Sequence, residues 1–184
     1  MRTDAVRRRR AITREARRLF AAHGSGVALE SVAEAAGVGI ATLYRNFPSR
    51  SDLIDAVVRE LLDDISDAAA VALIDVEEDA AAAWPAFLDR LVALDLGALA
   101  DALSHAVAGG LSDELRAAQE TTLARVEDVL DQARRHRLAV EDFSALELVL
   151  AVGILSRPQP EAMRALAPDL GRRLVPIFAA GLRP

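Results

Sequence analysis

The sequence predicts an all-α protein of about nine helices. Ala, Leu, Arg and Glu, which form helices readily, dominate the 184 residues. Apolar residues recur at helical spacing, whereas no segment alternates apolar and polar positions as a half-buried strand would. Because 52% of the residues are apolar and only 4% are aromatic, we expect a large core built mainly of Leu, Val and Ala.

Composition also limits the class of protein. The chain has no cysteine, which excludes a disulfide framework and thiolate metal ligands. No uncharged run approaches the ~20 residues that cross a bilayer, and the arginine-rich N-terminus lacks the apolar stretch of a secretory signal. No two histidines have metal-ligand spacing. We therefore expect a soluble cytoplasmic protein without a metal or other cofactor.

Four helices are expected in the N-terminal part. The first ends where Gly24 can adopt the left-handed conformation of a helix cap. A short second helix (about residues 29–36) ends at Gly37, a third covers residues 40–46, and a fourth covers residues 49–73. The apolar stripe of the first helix consists of Ile12, Ala16, Leu19 and Phe20.

Five more helices are expected after an acidic joint at residues 75–79, whose carboxylates suit the N-terminus of the fifth helix. Gly97 begins a sixth helix, Ser112 caps the seventh, and Asp142 caps the eighth. The expected ends are about residue 94 for the fifth helix, 107 for the sixth and 157 for the eighth, and the ninth covers roughly residues 161–182.

Charge is distributed unevenly along the chain. Residues 1–50 hold 10 Arg and 4 acidic residues, a net charge of +6 (10 − 4). Residues 51–184 hold 12 Arg and 24 acidic residues, a net charge of −12 (12 − 24). One end therefore attracts polyanions, although the whole chain carries −6. A solvated helix face on which arginines cluster by chance gives the same counts.

The second and third helices, with Gly37 between them, predict a helix-turn-helix, because glycine permits the positive φ of a tight turn. In such a motif the second helix enters the major groove of DNA by its N-terminal end. Small-residue turns also join helices in many bundles. Val38 and Leu43 are spaced to pack inward, which leaves five side chains outward: Ile40, Ala41, Thr42, Tyr44 and Arg45.

The five outward side chains suit nucleic acid. The hydroxyls of Thr42 and Tyr44 can donate to phosphate oxygens, and such contacts fix the register of the protein without reading sequence. Arg45 can pair with a phosphate or bidentately with guanine. Ile40 and Ala41 can touch only apolar edges, such as a thymine methyl.

Further arginines flank this motif. Arg50, near the start of the fourth helix, can grip a phosphate together with free backbone N–H groups. Arg7–Arg10 and Arg14 can add contacts to the DNA backbone or reach a minor groove. An arginine run is also an ordinary solvated helix face.

The segment AEAAGVGIATLYRNFPSRSDL resembles the signature of the tetracycline-repressor (TetR) family of bacterial regulators. An alanine-glycine-valine turn before a threonine-leucine-tyrosine triplet, followed by aromatic–Pro–Ser–basic–x–Asp–Leu, carries the resemblance, which is specific over about residues 8–60. It implies an all-helical homodimer with an N-terminal helix-turn-helix DNA-binding domain of three helices and a C-terminal ligand-sensing and dimerisation bundle of about six. By position, Thr42, Tyr44 and Arg50 match the family's phosphate contacts, and Ile40, Ala41 and Arg45 match its groove-facing positions.

Three positions depart from the family pattern. Ala28 stands where the family often has a capping Thr before the second helix, and a missing cap costs on the order of 1 kcal/mol. Arg50 stands where lysine is common, which keeps the charge and changes the geometry. Gly39 and Ala41 leave the recognition helix poor in polar side chains, so we expect specificity to depend on Arg45 and DNA shape.

We expect a helix-turn-helix domain over residues 1–48 and a ligand-sensing and dimerisation domain over residues 49–184, connected by the helix at 49–73. Residues 145–155 are apolar on nearly every face except Glu147, and the last helix also carries a wide apolar stripe. We expect these two helices to pair with those of a second copy; the alternative is a central core in a monomer. The predicted interface residues are Leu146, Val149, Leu150, Leu170, Leu174, Ile177 and Phe178.

A ligand pocket, if one is present, is expected among the fifth to eighth helices. Its candidate apolar lining consists of Trp84, Phe87, Leu91, Leu103, Val107, Leu123, Val126 and Leu130. Such residues at helical spacing are more often core than pocket. His105, Gln119 and Thr122 are the candidate polar groups that would orient a ligand, although a surface or satisfied histidine is the simpler interpretation of His105.

Three functions follow for comparison. The first is a DNA-binding transcriptional repressor, a homodimer that a small, mainly apolar effector releases from its double-stranded operator by shifting a conformational population. The second is an enzyme, which nothing supports, because the sequence has no Cys–His pair, Gly-rich phosphate loop or nucleophile elbow. The third is a DNA-binding dimer regulated by a protein partner or without any small ligand, which a pocket of only roughly a few tens of Å³ would favour. None involves a membrane.

Overall fold

A computed structural model describes residues 2–184 apart from 101, 103, 105–109 and 169. The described residues are all-α and contain no strand, as predicted. They form fewer helices than the nine expected, for reasons given below. The helices are α1 (Arg2–His23), α2 (Leu29–Ala35), α3 (Ile40–Asn46), α4 (Arg50–Ala93), α5 (Asp113–Arg135), α6 (Ala145–Leu155), α7 (Glu161–Leu166) and α8 (Leu170–Gly181).

The chain divides into two compact units. The first unit comprises residues 1–61 and 98–115, and the second unit comprises residues 62–97 and 116–184. The boundary at Leu61 therefore falls inside α4. No helix among the described residues is long and apolar enough to span a lipid bilayer.

The first unit is built around large apolar side chains from α1, α3 and α4. Glycines set the ends of its short helices: Gly24 has φ +80° after α1, and Gly37 has φ +66° after α2. A Cβ on Gly37 would meet nothing within 4 Å, so this glycine is required by its backbone conformation and not by lack of space. The fully buried side chains include Ile12, Phe20, Leu43, Phe47 and Leu53.

A short capping network begins α4. The backbone N–H and hydroxyl of Ser49 both donate to a carboxylate oxygen of Asp52, at 2.8 and 2.7 Å, and the Asp52 N–H donates to the Ser49 hydroxyl at 3.1 Å. This arrangement is that of a capping box with Asp in place of the usual Glu.

An acidic joint between two helices was predicted over residues 75–79, and the predicted length is wrong. The helix continues through residue 78, and only Asp79 leaves helical geometry, with φ −153° and ψ 94°. Its carboxylate accepts from the N–H groups of Ala81 and Ala82, at 3.0 and 3.1 Å, and so caps the rest of α4. The fourth and fifth predicted helices are therefore one helical run with a kink.

The start of α5 agrees with the sequence, whereas the start of α6 does not. The Ser112 hydroxyl accepts from the Leu115 N–H at 3.2 Å, as expected of a cap. Asp142, however, is not the cap of the next helix. Ser144 is, because its hydroxyl accepts from the Glu147 N–H while the Glu147 carboxylate accepts from the Ser144 N–H at 2.8 Å, a complete capping box.

A partly buried arginine holds the loop between α5 and α6. Arg134 donates to Glu127 and Asp131, at 2.8 and 2.6 Å, and to the Phe143 carbonyl at 2.7 Å. The second carboxylate oxygen of Glu127 accepts from the Ala145 N–H at 2.8 Å. Burial acts to lower the pKa of Arg134, but the hydrogen bonds to the two carboxylates outweigh it and the pKa is raised.

The ninth predicted helix, over residues 161–182, is divided into α7 and α8. Pro168 explains the division, because the residue before a proline is displaced from helical geometry. Helix α8 then continues across Pro176 to Gly181. The sixth helix was predicted from Gly97 to about residue 107. Residues 97–99 form a turn, so the predicted start is wrong, and residues 101, 103 and 105–107 of this range lie outside the described part of the chain.

The second unit contains one very close backbone approach. The Gly97 N–H donates to the Ser156 hydroxyl at 3.0 Å. A Cβ on Gly97 would lie 2.2 Å from the Gly153 carbonyl oxygen and 2.5 Å from the Arg157 backbone N and Cα. The turn at residues 94–97 therefore lies directly against the C-terminal end of α6.

Candidate nucleic-acid interface

Helix α3 divides its side chains between the core of the first unit and solvent. Leu43 is fully buried, whereas Ile40, Ala41, Tyr44 and Arg45 are exposed. Tyr44 is 47% exposed, unusual for an aromatic residue without a partner surface. The structure thus brings the predicted outward side chains together on one open face.

Thr42 lies beside this face and is partly exposed. Its hydroxyl oxygen accepts a hydrogen bond of 2.9 Å from Nη2 of Arg45, one turn further along α3. Its backbone carbonyl accepts from the Asn46 amide nitrogen at 2.8 Å. The Thr42 hydroxyl hydrogen can still be donated to a phosphate oxygen, because the bond from Arg45 uses a lone pair.

Arg9 of α1 fixes the C-terminal end of α3. Its Nη1 donates to the Asn46 carbonyl at 2.6 Å, and its guanidinium carbon lies 4.1 Å from the centroid of the Phe47 ring. Both contacts come from the guanidinium: one N–H group donates to the carbonyl, and the central carbon lies over the aromatic ring. In the sequence, Arg9 is one member of a basic run, and its spacing to residues 46 and 47 gives no signal of this contact.

Arg50 is engaged within the first unit. Its Nη1 donates to the carbonyl oxygens of Ser25 and Val27, both at 2.7 Å, and thereby ties the α1–α2 turn to the start of α4. The side chain is partly buried. The turn precedes Ala28, which caps α2 without a side-chain hydrogen bond. Arg50 therefore stabilises the chain just before the helix end that lacks a cap.

The other arginines of α1 remain at the surface. Arg7, Arg8 and Arg10 are exposed, and Arg14 is exposed with a Glu15 oxygen 3.7 Å from its Nε. Their positive charge is therefore available to a polyanion.

The sequence profile of the bacterial regulatory proteins of the tetR family matches residues 12–57, from α1 through the helix-turn-helix into α4. Over this segment the chain is similar to the TetR family. The resemblance seen in the sequence is thus confirmed.

Solved structures of TetR proteins share the fold over nearly the whole chain. The TetR transcription regulatory protein from Mycobacterium vanbaalenii is 28% identical with a TM-score of 0.65, covering 100% of this chain and 99% of that chain. A TetR transcriptional regulator from Streptomyces coelicolor is 29% identical with a TM-score of 0.64, covering 96% and 98%. The TetR-like regulator LfrR from Mycobacterium smegmatis, solved in complex with proflavine, is 25% identical with a TM-score of 0.71, covering 96% and 94%. No curated protein matches the sequence significantly.

Most described residues of the candidate ligand pocket are core. Phe87, Leu91, Val126 and Leu130 are fully buried, while Gln119 and Leu123 are partly exposed. Thr122 is buried and its hydroxyl donates to the Leu62 carbonyl at 3.2 Å, so this polar group is already in use. The remaining candidates, Leu103, His105 and Val107, lie outside the described residues.

Trp84 is the candidate that lines a cavity. The cavity holds about 10 Å³ of space, and its other lining residues were not in the predicted set: Ala72, Val76, Ala80, Ala83, Val129 and Ala133. The Trp84 ring packs 6.2 Å from that of Phe87, and its buried Nε1 has no hydrogen-bond partner among the described residues. An unpaired indole N–H beside a space of this size suits one water molecule.

Four of the seven candidate dimerisation residues are exposed, on two helices. Leu146 and Leu150 of α6 are 47% and 57% exposed, and Ile177 of α8 is 66% exposed. Leu170 is also exposed, whereas Val149, Leu174 and Phe178 are partly exposed. Ile154, which is not among the predicted interface residues, is 74% exposed and extends the α6 face by one turn.

Proposed function

We propose that this chain is a transcriptional regulator that binds operator DNA through α2 and α3, and that it acts as a repressor. The exposed face of α3 carries the proposal, because a buried Leu43 beneath exposed Ile40, Tyr44 and Arg45 is the arrangement of a helix that meets a groove. Exposed arginines of α1 supply positive charge for the flanking phosphates.

We further propose that the regulator is a homodimer. Leu146, Leu150 and Ile154 lie four residues apart and form one apolar row on α6, and Leu170 and Ile177 expose apolar surface on α8. Exposed leucines and isoleucines in such a row favour a covering partner. A second copy of the chain gives a two-fold interface and two recognition helices, which matches a palindromic operator.

Release of the operator by a small, mainly apolar effector is the regulatory mechanism we propose. LfrR, which shares the fold over nearly its whole length, was solved with proflavine, a small molecule. An effector that binds one dimer conformation more tightly shifts the population towards it, and DNA affinity changes when that conformation no longer spans two adjacent major grooves.

A specific observation supports a second candidate, a dimer regulated by a protein partner or without a small ligand. The cavity beside Trp84 holds about 10 Å³, against the several hundred Å³ of an ordinary ligand pocket. An effector of ordinary size would bind here only after the second unit rearranges.

DNA binding is tested by selecting duplexes from a random library with the full chain. We expect an enriched palindrome with half-sites about 10 base pairs apart, centre to centre. Tyr44→Phe removes only the hydroxyl and should weaken binding to the selected site, while Arg116→Ala, an exposed arginine of α5, should not. A wild-type protein that enriches no sequence would refute the proposal.

The oligomeric state and the effector need separate measurements. Sedimentation of wild type should give a dimer, and Leu150→Glu with Ile154→Glu should give a folded monomer; an unchanged dimer contradicts the assigned interface.

Trp84 is the single tryptophan of the chain, so its fluorescence reports directly on the second unit. If the effector mechanism holds, proflavine should quench this fluorescence and release the selected DNA. The absence of both effects would favour the second candidate.

A further inference from the structure

Most polar groups along the recognition surface are already used inside the protein. Arg9 is bonded to the Asn46 carbonyl and lies over Phe47, Arg50 is bonded to two carbonyls of the α1–α2 turn, and the Asn46 amide nitrogen is bonded to the Thr42 carbonyl. Arg45 is different, because it is exposed and its one hydrogen bond among the described residues uses Nη2.

The bond to Thr42 determines where the Arg45 guanidinium lies. Side chains on a helix lean towards its N-terminus, and the 2.9 Å bond holds the guanidinium over the preceding turn, beside residue 42. The N-terminal end of a recognition helix is the end that approaches base edges. Although Arg45 is the sixth residue of α3, its charged group is thus placed towards the groove-facing end.

The other side chains on the exposed face of α3 have few hydrogen-bonding groups that could read bases in place of Arg45. Ile40 and Ala41 have no hydrogen-bonding group, and Tyr44 has a single hydroxyl. Arg45 retains Nη1, Nε and one hydrogen of Nη2 for a partner, and a guanidinium with two free N–H groups pairs with the O6 and N7 acceptors of guanine.

We propose that Arg45, positioned by Thr42, is the specificity-determining residue of the interface and reads one guanine in each half-site. This inference rests on the proposed DNA-binding function. Restraint by Thr42 reduces the rotamer freedom that Arg45 loses on binding, so the hydroxyl supports base reading even though it makes no base contact itself.

The test compares selections from a random duplex library by wild type, Arg45→Ala, Arg45→Lys and Thr42→Val, with Arg116→Ala as the matched control for loss of an exposed arginine. Circular dichroism confirms that each variant is folded. Affinities for the selected site, for the same site with the guanine replaced, and for unrelated DNA are then measured at several salt concentrations.

We expect wild type and Arg116→Ala to select a guanine at one position of each half-site. Arg45→Ala should bind that site at least about tenfold more weakly and accept any base at the position, with unrelated DNA bound as before. Arg45→Lys should lose much of the preference, because an ammonium cannot form the two-bond fork. Thr42→Val should reduce the guanine preference, which loss of a phosphate contact alone would not do.

Two results overturn the inference while the proposed function survives. One is an Arg45→Ala protein that selects the same bases as wild type. The other is a uniform loss of affinity for all sequences with the salt slope reduced by about 1, which identifies Arg45 as a phosphate contact. If wild type selects no sequence at all, the proposed function fails, and this inference fails with it.

Discussion

Gly97→Ala tests the tight backbone approach in the second unit. The added methyl carbon would lie 2.2 Å from the Gly153 carbonyl oxygen and 2.5 Å from two Arg157 backbone atoms. Backbone atoms cannot rotate away as a flexible side chain does, so the turn must move from α6. Overpacking typically costs 1–3 kcal/mol, and this case belongs at about the upper end.

Moving the turn also weakens the 3.0 Å bond from the Gly97 N–H to Ser156, worth about 1 kcal/mol. A total of about 3 kcal/mol or more corresponds to a fall in melting temperature of roughly 6–12 °C for a chain of this size. Thermal unfolding followed by circular dichroism measures it. Gly181→Ala is the control, because a Cβ there meets nothing within 4 Å. A Gly97→Ala protein that melts within roughly 2 °C of wild type would refute the reasoning.

Three further predictions concern the DNA-binding surface and the cap of α6. Arg50→Ala should lower the free energy of unfolding of the first unit by about 2 kcal/mol, because two carbonyls lose a charged donor. The double variant Arg50→Ala with Tyr44→Ala should abolish operator binding. Retained nanomolar binding would contradict these roles. Operator affinity should fall steeply as salt rises in a mobility-shift titration, whereas a flat response would exclude phosphate contacts. Hydrogen bonds from Ser144 lower the pKa of Glu147, so the stability from this cap is present above the ordinary glutamate pKa and is lost as pH falls through the lowered value. Glu147→Gln should therefore reduce the loss of unfolding free energy at acid pH, measured by urea unfolding. An acid-pH loss identical to that of wild type would count against this prediction.

The first three helices follow closely from local sequence signals. Gly24 and Gly37 both have the positive φ expected at these helix ends, and α3 has the expected bounds of Ile40–Asn46. These signals work because a left-handed backbone conformation is a property of the single residue, independent of what packs around it.

Other helix ends depended on choices between similar local signals. Ser144 followed three residues later by Glu147 is itself a capping-box signature, and it prevails over Asp142 because its two groups satisfy two backbone donors reciprocally. The acidic run at 75–79 contains residues that cap and residues that continue a helix equally well. The break falls at Asp79, directly before the buried Ala80, Ala83 and Trp84, and the acidic run by itself does not distinguish this residue from its neighbours.

Side-chain partnerships at the interface were the least accessible from sequence. The pattern placed Tyr44 and Arg45 on one helix face, because helical spacing is sufficient for that. It could not reveal that Arg9 would reach Asn46 or that Arg50 would reach Ser25, since those contacts join residues 37 and 25 positions apart and depend on how the helices pack.

The contacts of Arg9 with Asn46 and Phe47 limit which substitutions the arginine run tolerates. Arg7, Arg8 and Arg10 point to solvent, so lysine preserves what they contribute, a positive charge. Arg9 contributes a flat surface over Phe47 as well as a donor to Asn46, and lysine has no such surface. The four adjacent arginines therefore differ in their tolerance to substitution. Lysine can replace Arg7, Arg8 or Arg10, whereas it cannot replace Arg9.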